Sequence, residues 1–339
     1  MIRLADIARE AGLATMTVSR ALRGSKGVAA ATRARVEALA RGLGYLPDAT
    51  ARSLRTRSTR LAAVVVPRLD DPATAELVAA LEPGAQALGL DTLVAQTLGV
   101  PELEERLLRR LLGRRVTVLF WMPAARLESA PRYAVSLPIG DTRLVVLGPA
   151  PHPPQAACVE TDDLRATYEA TTHLLELGHR RIALLAGPNG SRGCQRRQEG
   201  FRQALRHQRL ALEESLVFVA GPSLAEGAAS AARILQERPG VTAIVAVSDL
   251  SAMGAATFLL EQGIQIPRDV SLVTIGGSWP TAAFRVPLTA AVFAPAELAC
   301  RAMEAVTSGG AGGRVPRQVV AARLTIRAST GAPPSEPRL

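Results

Sequence analysis

Large rings are scarce in this chain. Phe, Tyr and Trp make 3% of its 339 residues, while the apolar types together make 48%. Its core must therefore be built from Leu, Val and Ala. Cysteine is scarcer still. Cys158, Cys194 and Cys300 are scattered and odd in number, which argues against a disulfide framework and for free thiols in a reducing cytoplasm. The histidines, His152, His173, His179 and His207, lack clustered ligand partners, so neither a metal nor another cofactor is expected. No apolar run reaches the roughly 18 residues that span a bilayer. The opening MIRLADIARE lacks the apolar stretch of a secretory signal, so a cytoplasmic protein with no membrane partner is expected. Also missing are a Walker loop, a nucleophile elbow and a zinc-protease motif. GGAGGR (309–314) reads as a turn, and Arg197 and Asp249 have no nucleophile or base to act with. An enzyme is not expected.

Positive charge is present, and it is concentrated. Residues 1–60 hold twelve Arg and Lys against four acids, giving +8 of the total +10. A basic head on a nearly neutral body suggests a polyanion partner for the head. The bland alternative is a solvated basic arm.

The head patterns as three short helices. LADIAREAG spaces Leu4, Ile7, Ala8 and Ala11 helically and ends at Gly12; TMTVSRALR follows; TRARVEALARGLGY puts Val36, Leu39, Ala40 and Leu43 on one face. Two helices joined by a tight Gly turn and closed by a third is helix-turn-helix anatomy. LPDATARSLRTRSTR (46–60) links head to body, either as a basic flexible linker or with one or two helical turns too short to persist alone.

From Leu61 apolar strands alternate with helical segments. The expected strands are LAAVVVP, LDTLVAQT, VTVLFWM and RLVVLG, then CVETD, RIALLAG, LVFVAG, AIVAVS and SLVTIG. Near-continuous Val/Leu/Ala strands alternating with helices predict parallel sheets covered on both faces. The Pro-rich GPAPHPPQAA between the two series predicts two α/β lobes. Ligands of such sheets sit beyond the carboxyl ends of the strands, which places a site between the lobes.

Five segments in unbroken order resemble the lactose-repressor (LacI/GalR) family: LADIAREAGLATMTVSRALRG, GYLPDATARSLRTRSTRLAAVVVP, HLLELGHRRIALLAGP, RRQEGFRQAL and IPRDVSLVTIG. The resemblance implies an α/β chain with an N-terminal all-α helix-turn-helix head and a two-lobed, doubly wound parallel-sheet body like the periplasmic sugar-binding proteins. It implies a homodimer on a pseudo-palindromic operator in double-stranded DNA, with a small effector in the cleft setting DNA affinity. The implied layout is a head over 1–45, a hinge over 46–60 and a body over 61–330. Lobe 1 would take about 61–157 and 290–318, lobe 2 about 158–289 and 319–330, with 331–339 a disordered tail. Without a leucine heptad after TIRAST, a tetramer through a terminal coiled coil is not expected.

By the same resemblance Thr15, Met16 and Arg20 match base-reading positions, while Thr17 and Ser19 match phosphate contacts, with Arg23 beside them. Arg20 can offer a fork to guanine and Met16 an apolar contact to a thymine methyl. Met16 could instead pack in the head core. Ala51 and Leu54 match a hinge helix that wedges the minor groove, with Arg52, Arg55 and Arg57 near phosphates.

Four features depart from the family pattern. The positions that match hydroxyl caps of the head helices are Arg3, Ala14 and Ala29. In the cleft, Arg197 matches the ligand-gripping arginine and Asp249 the Asp of an "ND" pair, but Ser248 replaces the Asn. Family carboxylates after two strands are replaced by Gly148 and by Gly276 or Gly277, and a bulky aromatic pair by Ala73 and Thr74. Trp121, Met122 and Trp279 lie on strand-end loops and could supply the apolar wall, or simply pack. With fewer acids and with Arg192, Arg196 and Arg197 together, the expected effector is a sugar acid such as gluconate. The MTVSRALR head also resembles the gluconate-regulator branch. A neutral-sugar regulator, a transport-type solute-binding protein and a carbohydrate enzyme on a similar body are the rival readings.

Overall fold

The computed structural model describes residues 2–25, 27–46, 59–123, 132–149, 152–188, 190–308 and 317–335. The chain divides into two compact units, Met1–Thr59 and Arg60–Leu339.

The head consists of helices α1 (Leu4–Ala11), α2 (Thr15–Leu22) and α3 (Ala30–Gly42). Gly12 closes α1 in left-handed backbone, φ +64°, a conformation that costs other residues roughly 1–2 kcal/mol. Ile7, Val18 and Val36 are fully buried at the centre, and Ala8, Ala11, Ala21 and Ala40 let the helices approach. The Arg35 guanidinium reaches from α3 to the Ala11 carbonyl at 2.7 Å, satisfying an orphan acceptor at the end of α1. Ala14 and Ala29 stand at N-cap positions and supply no side-chain cap bond. The Arg3 amide donates to Asp6 Oδ2 at 2.8 Å, so α1 keeps the acidic half of a capping box. The hinge residues Ala51, Arg52, Leu54, Arg55 and Arg57 lie outside the described residues.

The body is built on β1 (Leu61–Val66), β2 (Asp91–Gln96), β3 (Val118–Trp121), β4 (Arg143–Leu147), β5 (Ala157–Thr161), β6 (Ile182–Ala186), β7 (Val217–Val219), β8 (Ala243–Ala246), β9 (Ser271–Gly276), β10 (Thr289–Val292), β11 (Gln318–Val320) and β12 (Arg323–Thr325). They form two sheets, β11-β5-β4-β3-β1-β2 and β12-β10-β9-β8-β6-β7. Pairing is parallel except at β12, which runs antiparallel to β10. Helices cover both faces: α4 (Pro72–Ala87), α5 (Pro101–Gly113), α6 (Arg132–Ser136) and α12 (Pro295–Ser308) in lobe 1; α7 (Asp163–Glu176), α8 (Arg192–His207), α9 (Leu224–Glu237), α10 (Asp249–Glu261) and α11 (Trp279–Ala282) in lobe 2. Small residues set how closely the helices pack. A Cβ on Gly254 of α10 would lie 2.0 Å from the Leu224 carbonyl oxygen of α9, and one on Gly227 would lie 2.1 Å from that of Ser251.

The expected lobe boundaries require correction. Each cuts a strand: 157/158 cuts β5, 289/290 cuts β10 and 318/319 cuts β11. The chain instead completes each ladder and crosses between lobes after Thr161, Val292 and Val320. The Pro-rich segment expected to part the lobes joins β4 to β5 within lobe 1. The last residues are also more ordered than expected. Buried His179 places Nδ1 2.9 Å from Thr242 Oγ1 and Nε2 2.9 Å from the Gly331 carbonyl oxygen, and the Gly331 amide donates to Ser271 Oγ at 3.0 Å. His173 Nε2 meets Thr330 Oγ1 at 3.0 Å. Residues 331–335 are thus described as part of the body, and 336–339 lie outside the described residues.

Burial lowers the pKa of both His173 and His179 below the ordinary 6.5. The native body keeps them neutral in a range where the unfolded chain binds protons. Their contribution is therefore complete above about pH 6.5 and is lost as pH falls toward the lowered native values. The body transition of the full-length protein is expected to melt lower at about pH 5.5 than at about 7.5, with a smaller difference in His179→Gln. An unchanged pH dependence in that variant would contradict this assignment.

Candidate functional site

The carboxyl ends of both parallel sheets open on a cleft of about 690 Å³. Strand-end prolines line it at 67, 123, 149, 188, 222 and 295. Proline brings no N–H, so these positions offer a ligand carbonyls but no backbone donors.

The floor is set by helix packing. A Cβ on Gly200 of α8 would lie 2.2 Å from the Leu164 carbonyl oxygen of α7. That close approach brings Arg197, one turn before Gly200, against Asp163, the first residue of α7. Arg197 Nε donates to Asp163 Oδ1 at 2.9 Å and Nη2 lies 2.8 Å from the same oxygen. Its Nη1 donates to the Val247 carbonyl, and the guanidinium lies 5.9 Å from the Phe293 ring centroid. Burial works against the charge, but facing Asp163 the guanidinium pKa is raised. These contacts engage three of the five N–H groups of arginine.

Among the described residues five carboxylates line the cleft, and each already accepts from the chain itself. Asp71 caps α4, accepting from Thr74 N at 3.1 Å and Thr74 Oγ1 at 2.6 Å. Glu76 accepts from the Trp279 amide at 2.6 Å, joining the lobes across the cleft. Glu160, 1% exposed, pairs with Arg196 at 2.8 Å and with Arg317. Asp163 holds Arg197. Asp249, 4% exposed, accepts four bonds of 2.7–3.0 Å, from Thr274 Oγ1, the Gly277 and Ser278 amides and Ser278 Oγ. A Cβ on Gly276 would lie 2.8 Å from Asp249 Oδ2. Glycine there leaves the room that this carboxylate uses. Arg192 is exposed on the cleft wall and makes no ion pair among the described residues.

Ala73, Thr74, Arg192, Arg197, Ser248, Asp249 and Gly276 all line the cleft, as does Met122. The two tryptophans do not, which corrects their assignment to the wall. Trp121 is 1% exposed and packs with Leu108, Leu111 and Tyr133 on the far face of the lobe-1 sheet. Trp279 is 67% exposed outside the cleft and contributes its amide to Glu76. The sequence reading missed Asp163, Glu160, Glu76 and Phe293. Asp163 had a signal, as an acid opening the helix that follows a strand end.

In the head Thr15, Met16 and Arg20 are exposed on the first turns of α2, while Thr17 and Ser19 are half-buried. Met16 is 62% exposed, which rules out its packing in the head core. Arg23 folds back, its Nε donating to the Ser19 carbonyl at 2.8 Å.

Residues 3–48 match the family described as bacterial regulatory proteins, lacI family, and residues 171–330 match the periplasmic binding protein-like domain. The chain belongs to the LacI family. It is 28% identical to the HTH-type transcriptional regulator DegA of Bacillus subtilis over 329 residues, 96% of this chain and 97% of DegA. It is 28% identical to the HTH-type transcriptional repressor CytR of Escherichia coli, over 79% of this chain and 78% of CytR. The Lac repressor dimer bound to operator and the anti-inducer ONPF matches with a TM-score of 0.83 at 26% identity, covering 98% of this chain and 99% of that one. The chain is thus a LacI-family, DNA-binding transcriptional repressor with an effector-binding domain, and its relatives are regulators rather than enzymes. No described helix is long and apolar enough to cross a membrane, and no described group of three or more His, Cys, Asp or Glu is placed to hold a metal.

Asp249→Ala would strand four donors in the cleft wall. Unfolding of the full-length protein in urea is expected to show a loss of about 3 kcal/mol or more. A loss below about 1 kcal/mol would show that these bonds do not hold the wall.

Proposed function

We propose that this LacI-family repressor answers to a sugar acid, such as gluconate, bound between its lobes. The observation that carries the reading is the state of the cleft's charges. Its described carboxylates are already engaged, whereas Arg192 and two N–H groups of Arg197 are left to donate. Guanidinium N–H groups that the chain leaves open favour an anion. Ser248 and Met122 would complete the contacts around it. The neutral-sugar reading has its own support, since the CelR regulator matched at a TM-score of 0.68 and 27% identity, over 97% of this chain and all of that one, is a cellobiose complex.

The DNA-binding half of the proposal is a homodimer on a pseudo-palindromic operator. Thr15, Met16 and Arg20 of each head would read base edges; Thr17, Ser19, Arg23, Arg52 and Arg55 would hold phosphates; Ala51 and Leu54 would enter the minor groove. The exposure of the first three supports the assignment.

Two measurements test it. In calorimetry against a matched panel, an aldonate is expected to bind the full-length protein more tightly than every neutral sugar, and the reverse order overturns the sugar-acid reading. In operator binding, Arg20→Ala is expected to cost ~1–3 kcal/mol and to relax preference at one base pair per half-site. A uniform loss on all sequences would instead make Arg20 a phosphate contact.

A further inference from the structure

We infer that lobe 1 carries a second duplex-contacting surface of its own, at the edge where its strands begin; this rests on the reading of the chain as a DNA-binding repressor. All six strands of the lobe-1 sheet are parallel, so their starts share one edge, opposite the cleft. Five arginines gather there, all exposed: Arg60 before β1, Arg110 and Arg114 at the end of α5, Arg115 before β3 and Arg143 opening β4. Two exposed acids face the same edge, Asp91 at the start of β2 and Asp141 before β4. Residues 61–339 as a whole carry only about +2, so this excess is local.

A simpler explanation covers part of the cluster. Arg110 and Arg114 lie at a helix C-terminus, where a cation complements the macrodipole. It does not cover the rest. Arg60 and Arg115 both sit in left-handed backbone, φ +54° and +55°, where glycine or asparagine would be unstrained. They precede neighbouring strands, and the Thr117 amide donates to the Leu61 carbonyl at 2.9 Å, so the two strained arginines stand side by side. Arg209 of lobe 2 shares that conformation, φ +57°, so what sets this edge apart is that Arg60 and Arg115 adopt it on neighbouring strands among further arginines. Arg110 and Arg114 are also four apart on one helix face, a spacing at which like charges repel.

The partner that fits is duplex phosphate. The surface is cationic, its cations are arginines, and the segment from the basic head joins the body at Arg60. The contacts would be to backbone outside the sequence read by the head, adding affinity without sequence preference.

The test uses full-length protein and the duplex it selects from a random library. That duplex is prepared bare and with about one helical turn of flanking DNA on each side. The variant is Arg110→Gln, Arg114→Gln, Arg115→Gln; a charge-matched control replaces Arg202, Arg206 and Arg209 of lobe 2 with Gln. On the flanked duplex the variant is expected to bind at least about tenfold more weakly than wild type. Its salt dependence should be shallower, by about 0.9 for each phosphate it no longer neutralises. On the bare duplex it should match wild type. If melting shows the triple variant misfolded, Arg114→Gln alone should still lower the flanked-duplex salt slope, by about 0.9. Equal affinity and slope on the flanked duplex, or an equal loss in the lobe-2 control, would overturn the surface. A wild type that binds neither duplex would overturn the regulator reading and this surface with it.

Discussion

A guanidinium set into the wall of a cleft needs an anion, and for Arg197 that anion is Asp163. The pair determines much of the arrangement around it. It exists because Gly200 lets α7 and α8 pack backbone to backbone, and it fixes the angle at which α8 presents Arg192 to the cleft. Asp163 opens the helix that follows the first passage between lobes, so the pair stands at the lobe junction. Removing one partner would leave a buried charge alone, which is far costlier than never having had the pair.

The same accounting explains how the lobes are joined. Glu160 belongs to lobe 1, yet it pairs with Arg196 of α8 in lobe 2 and with Arg317, which precedes β11. Glu76 of lobe 1 receives the Trp279 amide of lobe 2. Three covalent crossings and these two polar ties hold the sheets around one cleft. Arg192, Arg196 and Arg197 share one helix, so a ligand that pulls on the first or third also bears on the tie made by the second. That is a physical route by which occupancy of the cleft would change the relation of the lobes, as an allosteric element must.

Much of this was legible in the sequence. The head helices declared themselves by apolar spacing and by Gly12, and the central strands by unbroken runs such as LAAVVV and SLVTIG. The short strands β10 and β11 were harder, because Thr289–Val292 is four residues and half alanine, and Gln318–Val320 is only three residues. Boundaries drawn near them fell inside strands. Trp121 was misplaced for a different reason. Successive strand residues face opposite sides, so Met122 at the strand end reaches the cleft while Trp121 turns to the far core. The ion partners were invisible, since Asp163 meets Arg197 from 34 residues away and Glu160 meets Arg317 from 157. No local pattern reports such pairs. The acid-poor cleft expected from the sequence is not what the fold builds: five carboxylates line it, each accepting at least one bond from the chain.

We propose that Arg197, oriented by Asp163, carries the effector's signal to the operator. Arg197→Lys tests it most directly, because it keeps the charge beside Asp163 while removing the planar fork. The measurement is operator affinity of the full-length protein with and without saturating aldonate, for wild type and for this variant. The account predicts that the wild-type affinity responds and that the folded variant's does not. An equal response in both would contradict it.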